Sequence, residues 1–325
     1  MGSVKNLELK TRPTEKEMGV GVFVFTDDYS VFDFGKMPDT IPGKGEALCR
    51  MSSYNFNELK KLGIRSHFRK MVSGNEMEAD LVQVLYPGRD KIDVKTTNYL
   101  IPLEVMFRNS LPEGSSLLRR IESGEVDHKD YGLSSKPSAG EPLEKPVIDI
   151  ATKLEPTDRY LTWGEARKLA GLTRDEESLL RETALKINDF LNKKAGSIGL
   201  EHADGKVEFG FGPNRELILL DVVGTLDENR FLYHGINLSK QVLRDYYSTM
   251  PWAQQVKEAL KKGIPKEQLP RPARLPPELI RIASNIYKGV CEEWTGEKIW
   301  KVPKLEDVVA EYIDFKDQLA LETGT

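Results

Sequence analysis

Cysteine is almost missing from this chain: only Cys49 and Cys291 occur in 325 residues, far apart and with no second thiol beside either. That excludes a disulfide framework and a cysteine-based zinc site, and leaves two reduced thiols as the expectation. Long apolar runs are missing too. The longest, GVGVFVF (19–25) and LILLDVVG (217–224), are too short to span a bilayer, and no apolar signal region opens the chain. A cytoplasmic protein without membrane contact is expected. Charge of one sign is also lacking, since the net charge is −4 with 30% charged residues. No global field draws in nucleic acid or an acidic membrane, so an anionic ligand must be held by local clusters. Internal repeats and low-complexity tracts are absent. What is present is enough chain to bury a substantial core in one large domain or two lobes.

Residues 19–26 are β-branched, aromatic and glycine-bearing, and read as a buried strand. The stretch 27–45 carries Asp, Pro and Gly and reads as a long ordered loop, a kind of segment that is often functional. From Glu46 to Leu62 the residues Leu48, Met51, Phe56 and Leu59 fit a helix, with a stop at Gly63. Strand-like segments at 79–86 and 100–107 complete a small α+β lobe that lacks the helix–strand alternation of doubly wound folds. Residues 122–147, rich in Ser, Gly, Pro and Lys, predict a surface excursion within a second lobe. Thr173 is a good N-cap, and Leu180, Ala184, Ile187 and Leu191 then share one helical face ending near Gly196. Leu279, Ala283, Ile286, Val290 and Trp294 form another stripe, stopped by Gly296, that reads as core rather than cofactor contact.

The chemistry concentrates in ADGKVEFG (203–210). Asp204, Lys206 and Glu208 alternate with Gly205, Val207 and Phe209, so a strand would put all three charges on one face. Residues 210–215 read as a hairpin loop, and 216–223 as a return strand that brings Asp221 close to Glu208. Asp221 stands among Leu217 to Leu220, Val222 and Val223, where an unpaired carboxylate is expensive. Two converging carboxylates with a lysine beside them suit Mg²⁺ bridging nucleotide phosphates; the bland alternative is a solvated hairpin face with a Lys206–Glu208 pair. Asp227 and Arg230 lie at a turn beyond the strand. Arg108, Asn109, Gly114 and Ser115 mark a strand-to-helix junction able to face an anion, or simply an N-cap with a surface arginine.

Together these segments resemble the SAICAR synthetase (phosphoribosylaminoimidazole-succinocarboxamide synthase) family over nearly the whole chain. The resemblance rests on DGKVEFG (204–210), IPLEVMFRNSLPEGS (101–115), TDDYSVFDFGKMPDTIPGKGE (26–46), ATKLEPTD (151–158) and SKQVLRDYY (239–247), in the family's order. It implies an α+β, two-lobed architecture of the ATP-grasp or kinase-like kind. An antiparallel-sheet lobe would cover residues 1–102 and a larger mixed α+β lobe 103–325, with the active site in the cleft between them. It also implies an ATP-dependent ligase that joins the carboxylate of carboxyaminoimidazole ribonucleotide (CAIR) to the amine of L-aspartate through an acyl phosphate. Mg²⁺ would be the cofactor, and ATP, CAIR and L-aspartate the small-molecule partners.

Carried over by motif, Glu208 and Asp221 should hold Mg²⁺, and Lys206 and Lys153 should contact phosphates or incoming carboxylates. Arg108, Ser115 and Arg230 should grip the ribonucleotide phosphate. Asp204 and Asp227 should orient the imidazole amine and the reacting groups, with Ser30 and Asp33 lining the same pocket. Lys10 and Arg12 of LKTR (9–12) should cover ATP, and adenine should sit near Leu100 and Ile101. The chain departs from the family pattern at Leu9 for glycine, at Val222 for glutamate, at Leu226–Asp227–Glu228–Asn229–Arg230 for Pro-Asp-Ser-Ser-Arg, and in an extra residue around Pro112 and Glu113. The competing readings are a ligase or kinase of the same fold with another small phosphorylated substrate, and a non-catalytic nucleotide sensor. Nothing in the sequence decides whether the chain forms a homo-oligomer.

Overall fold

The glycine-bearing apolar run forms β2 (Gly19–Phe25), flanked by β1 (Lys5–Thr11) in an antiparallel pair. With β3 (Phe68–Ser73) and β4 (Glu76–Leu81) they make a four-stranded sheet of order β1-β2-β4-β3. The computed structural model describes residues 4–32, 34–155, 157–265 and 268–323. The long loop after β2 is tied down at its far end by Asp27, whose carboxylate accepts the amide N–H groups of Gly43 (3.0 Å) and Gly45 (2.9 Å). These bonds satisfy orphan donors at the start of α1 (Lys44–Lys61). Leu48, Met51, Phe56 and Leu59, the face expected from the sequence, are all buried on α1.

The strand expected at 79–86 sits earlier. β4 ends at Leu81 because the following amides have other partners: Gln83 N–H bonds Asn98 O (2.9 Å), and Tyr86 N–H bonds the Asp90 carboxylate (2.7 Å).

The second sheet is antiparallel and has order β10-β9-β7-β5-β6, with β8 paired to one end of β7. Its strands are β5 (Tyr99–Ser110), β6 (Pro142–Thr152), β7 (Glu201–Phe211), β8 (Leu217–Leu220), β9 (Asn229–Tyr233) and β10 (Ile236–Asn237). Between β5 and β6 lie α2 (Ser116–Glu122) and a 3₁₀ turn at His128–Tyr131. The excursion expected at 122–147 is anchored by a small core of its own, formed by Leu111, Leu117, Leu118, Ile121, Leu133 and Val147.

Helices α3 (Trp163–Ala170) and α4 (Arg174–Ser197) cover one face of this sheet. Thr173 and Glu176 form a capping box at the start of α4, and Leu180, Ala184, Ile187 and Leu191 are buried as their spacing predicted. The helices α5 (Gln241–Ser248), α6 (Pro251–Lys261), α7 (Pro277–Thr295) and α8 (Leu305–Thr323) follow. The stripe from Leu279 to Trp294 lies in the core, and α7 packs on α1. Among the described residues no helix is long and apolar enough to cross a membrane.

The two sheets meet where residues 65–67 run beside β8: His67 N–H bonds Leu219 O (3.0 Å), and Leu219 N–H bonds Arg65 O (2.9 Å). The return strand is shorter than the span 216–223 expected for it. It ends at Leu220 because Asp221 adopts a left-handed backbone, φ 64°, a conformation that aspartate tolerates better than most residues. Val222 and Val223 therefore turn into the core, where Ser52 Oγ accepts the Val223 N–H and Asn55 Nδ2 donates to Val223 O.

Candidate active site

The face of the second sheet opposite α4 carries two centres of charge, placed by strand register. β5 and β7 pair Glu104 with Glu208, Met106 with Lys206, and Arg108 with Asp204. Directly opposed residues share a face, so the alternation in ADGKVEFG meets a matching alternation in Glu104, Met106 and Arg108. β9 then pairs Arg230 with Asp204, and β8 brings Leu220, the residue before Asp221, opposite Glu208. Four residues of strand separate the two ends of this row, a distance of roughly 13 Å.

At one end the carboxylates of Glu104, Glu208, Asp221 and Glu228 interleave with lysines. Asp221 is ion-paired with Lys5 from β1, and Glu208 with Lys153 at the end of β6. Glu104 Oε1 accepts from Lys153 Nζ (3.2 Å) and Lys206 Nζ (3.0 Å), and Lys206 Nζ lies 3.3 Å from Glu228. Burial and the neighbouring Asp221 raise the Glu208 carboxyl, against the pull of Lys153. Burial works on Asp221 in the same direction, but Lys5 and Lys153 together outweigh it and the net shift is downward. Burial would lower Lys153 and Lys206; Glu208 and Glu104 around the first, and Glu228 and Glu104 around the second, hold both above the ordinary lysine value.

At the other end Asp204 accepts from Arg108 Nη1 (3.3 Å) and Arg230 Nε (2.7 Å). Arg108 also reaches Asp149 (3.0 Å) and Ser116 (3.1 Å), and Arg120 shares the Asp149 carboxylate. Arg108, Arg120 and Arg230 exceed Asp149 and Asp204 by one positive charge. Ser115 Oγ, Arg108 Nε and Arg120 Nε are buried without hydrogen-bond partners. Surplus positive charge with orphaned buried donors is what an anion with several acceptor oxygens would satisfy.

A magnesium ion fits the first end in a limited way. Among the described residues no group of three or more His, Cys, Asp or Glu forms a metal site. Glu208 and Asp221 nevertheless face each other closely enough to influence each other's ionisation. Mg²⁺ commonly takes one or two carboxylates and completes its shell with water and substrate phosphates.

The structure gathers Asp204, Lys206, Glu208, Asp221, Lys153, Arg108, Ser115 and Arg230 on this face. Asp227 sits nearby with both oxygens engaged, by Lys44 Nζ (2.7 Å) and Tyr287 OH (2.7 Å). Ser30 lies in the long loop after β2, and Asp33 falls outside the described residues. Leu100 is half-buried on β5, beside a register shift between Leu100 and Glu104, and the Ile101 side chain is in the core. Lys10 and Arg12 are exposed, with Lys10 paired to Glu78 on β4 (2.6 Å).

Sequence reasoning missed Lys5, Glu104, Lys240, Lys44 and Asp149, and named Glu228 only as a departure from the family pattern. Glu104 had a signal, since it stands four residues before Arg108 on an alternating strand. Lys5 had none, because its partner is 216 positions away.

The sequence model of the SAICAR synthetase family matches residues 12–260. The chain belongs to this family. It is 41% identical to an Archaeoglobus fulgidus protein assigned as a phosphoribosylaminoimidazole-succinocarboxamide synthase, over 96% of this chain and 98% of the relative. It is 38% identical to the Thermoplasma acidophilum synthase, over 85% and 93%. Two solved SAICAR synthetases share the fold. One, in complex with ADP, has a TM-score of 0.61 at 23% identity, covering 92% of this chain and 98% of its own. The Saccharomyces cerevisiae enzyme complexed with SAICAR has a TM-score of 0.64 at 22% identity, covering 90% and 96%.

Proposed function

We propose that the protein is a SAICAR synthetase working with the residues of this sheet face. It joins the carboxylate of CAIR to the amine of L-aspartate at the expense of ATP, releasing SAICAR, ADP and phosphate. The observation that carries the residue assignment is the row along β5 and β7: an anion grip at one end and a carboxylate–lysine cluster about 13 Å away at the other. A ribonucleotide has a phosphate at one end and a reacting carboxylate at the other.

Arg108, Arg230 and Ser115 hold the phosphate, with Asp204 orienting both arginines and standing next to the imidazole. The opposite end then receives the CAIR carboxylate beside Lys206 and Lys153. A carboxylate is a poor acyl donor until one oxygen becomes a leaving group, and transfer of the ATP γ-phosphoryl group makes the acyl phosphate. Lys206 and Lys153, which their environment keeps protonated, offset the charge as the anions approach. Glu208 and Asp221 would hold Mg²⁺, which when bound offsets further phosphate charge. Lys5 exchanges Asp221 for a nucleotide phosphate. Attack by the aspartate amine on the acyl carbon expels phosphate and forms the amide.

Adenine is assigned to the segment around Leu100 and Ile101, of which Leu100 is half-buried and Ile101 lies in the core, and Asp227 orients the site from behind. The division of the chain into lobes 1–102 and 103–325, and a cytoplasmic location, belong to the same reading. The test supplies Mg²⁺-ATP, CAIR and L-aspartate and follows ADP. Release should require both co-substrates, and Asp221→Asn should lower kcat at least about 100-fold while the folded protein persists. Near-normal turnover of that variant would remove Asp221 from the metal assignment.

A further inference from the structure

Glu228 differs from the other acids of the cluster. Asp221, Glu208 and Glu104 each accept a hydrogen bond from a lysine, and neighbouring Asp227 has both oxygens engaged by Lys44 and Tyr287. Glu228 Oε2 lies 3.3 Å from Lys206 Nζ but makes no hydrogen bond, and the side chain is partly open to solvent. Its backbone is pinned, since Glu228 O accepts from Lys206 N (3.1 Å). Its Oε2 thus has Lys206 as an ion-pair neighbour but no hydrogen-bond donor. Burial alone would raise its pKa, but Lys206, Lys240, Lys5 and Lys153 hold it down at about 2. With those lysines around it the carboxyl is held in its ionised form.

We propose that Glu228 receives the α-ammonium group of the amino-acid substrate and so selects an amine-bearing dicarboxylate, an inference that rests on the ligase reading above. The lysines offset the cluster's carboxylates only while they stay beside them. When Lys206 turns to the phosphoryl group or the CAIR carboxylate, Glu228 loses its nearest cation, and a half-buried carboxylate left so is costly. An incoming ammonium group replaces that cation beside the place where the acyl carbon waits. Lysines alone would bind any dicarboxylate; Glu228 favours the one that also carries a positive charge. Before attack the ammonium gives its proton to solvent or phosphate, not to Glu228.

The experiment measures KM for L-aspartate, CAIR and ATP in the wild type and in Glu228→Gln, together with inhibition by succinate, which has the same two carboxylates and no amine. The glutamine variant should raise KM for aspartate about tenfold or more. KM for ATP and CAIR should stay within about twofold, and succinate should inhibit as well as before. Glu228→Asp, which keeps the charge, should recover part of the loss and serves if the glutamine variant does not fold. Equal weakening of aspartate and succinate, or no change in either, overturns the proposal. A wild type that releases no ADP with CAIR and aspartate overturns the ligase reading, and this inference with it.

Discussion

Lys5 and Lys10 stand on the same strand and have opposite surroundings. Lys5 is partly buried against Asp221 and lies over the Phe23 ring, 5.5 Å from its centroid. Lys10 is solvent-exposed and holds only Glu78, the kind of surface pair that contributes little. A strand turns successive side chains to opposite faces, and the five-residue offset puts these two on different sides. Lys5→Met should therefore lower kcat/KM for ATP at least about tenfold, since it removes a charge-assisted contact. Lys10→Ala should change it by less than about twofold. Steady-state kinetics with varied ATP checks both, and a larger effect at Lys10 would reverse the assignment.

Among the elements, β5 and β7 act as a ruler, and α4 is what keeps the ruler straight. The helix covers the sheet face opposite the charged row with Leu180, Ala184, Ile187 and Leu191. Asn188 Oδ1 and Asn192 Oδ1 each accept from Asn109 Nδ2 at 3.0 Å, next to Arg108 on β5. The first turn of α4 is secured by reciprocal bonds, Thr173 Oγ1 from Glu176 N–H (3.2 Å) and Glu176 Oε2 from Thr173 N–H (2.8 Å). Thr173→Ala removes half of that box and should cost about 1 kcal/mol. Urea denaturation should show the loss as a lower midpoint with an unchanged slope. Catalysis should be nearly untouched, because the far end of the helix supports the phosphate grip.

For the whole molecule, two buried histidines couple stability to pH. His67 sits where the sheets meet, with Nε2 3.0 Å from Asp221 O. His202 lies between Asn192 (2.8 Å) and Asn229 (3.0 Å), with its ring against Phe107 and Phe231. Burial brings both to about 4 from the ordinary 6.5. Between those values the unfolded chain binds protons that the folded chain refuses, so stability falls as pH drops through this window. Each histidine contributes a slope of about 1.4 kcal/mol per pH unit there. Unfolding free energy should thus be lower at pH 5 than at pH 7.5. His202→Gln, though less stable at neutral pH, should shrink that difference by about 2 kcal/mol; an unchanged difference would mean that His202 is protonated in the fold.

Local patterns made much of this legible in the sequence. The alternation of Asp204, Lys206 and Glu208, the apolar spacing of α1, α4 and α7, and the capping signal at Thr173 are set by periodicity and backbone chemistry within a few residues. The tertiary structure decided what depends on register and on distant partners. Only β8's early end, forced by the left-handed backbone of Asp221, turns Val222 into the core and leaves Asp221 for Lys5. Only the ion pair with Asp221, 216 positions away, shows that Lys5 of β1 reaches the carboxylate cluster. Glu228 in the sequence is one more acid in a polar turn. In the fold it is the acid ion-paired with Lys206 whose Oε2 has no hydrogen-bond donor, while both oxygens of its neighbour Asp227 are held by Lys44 and Tyr287.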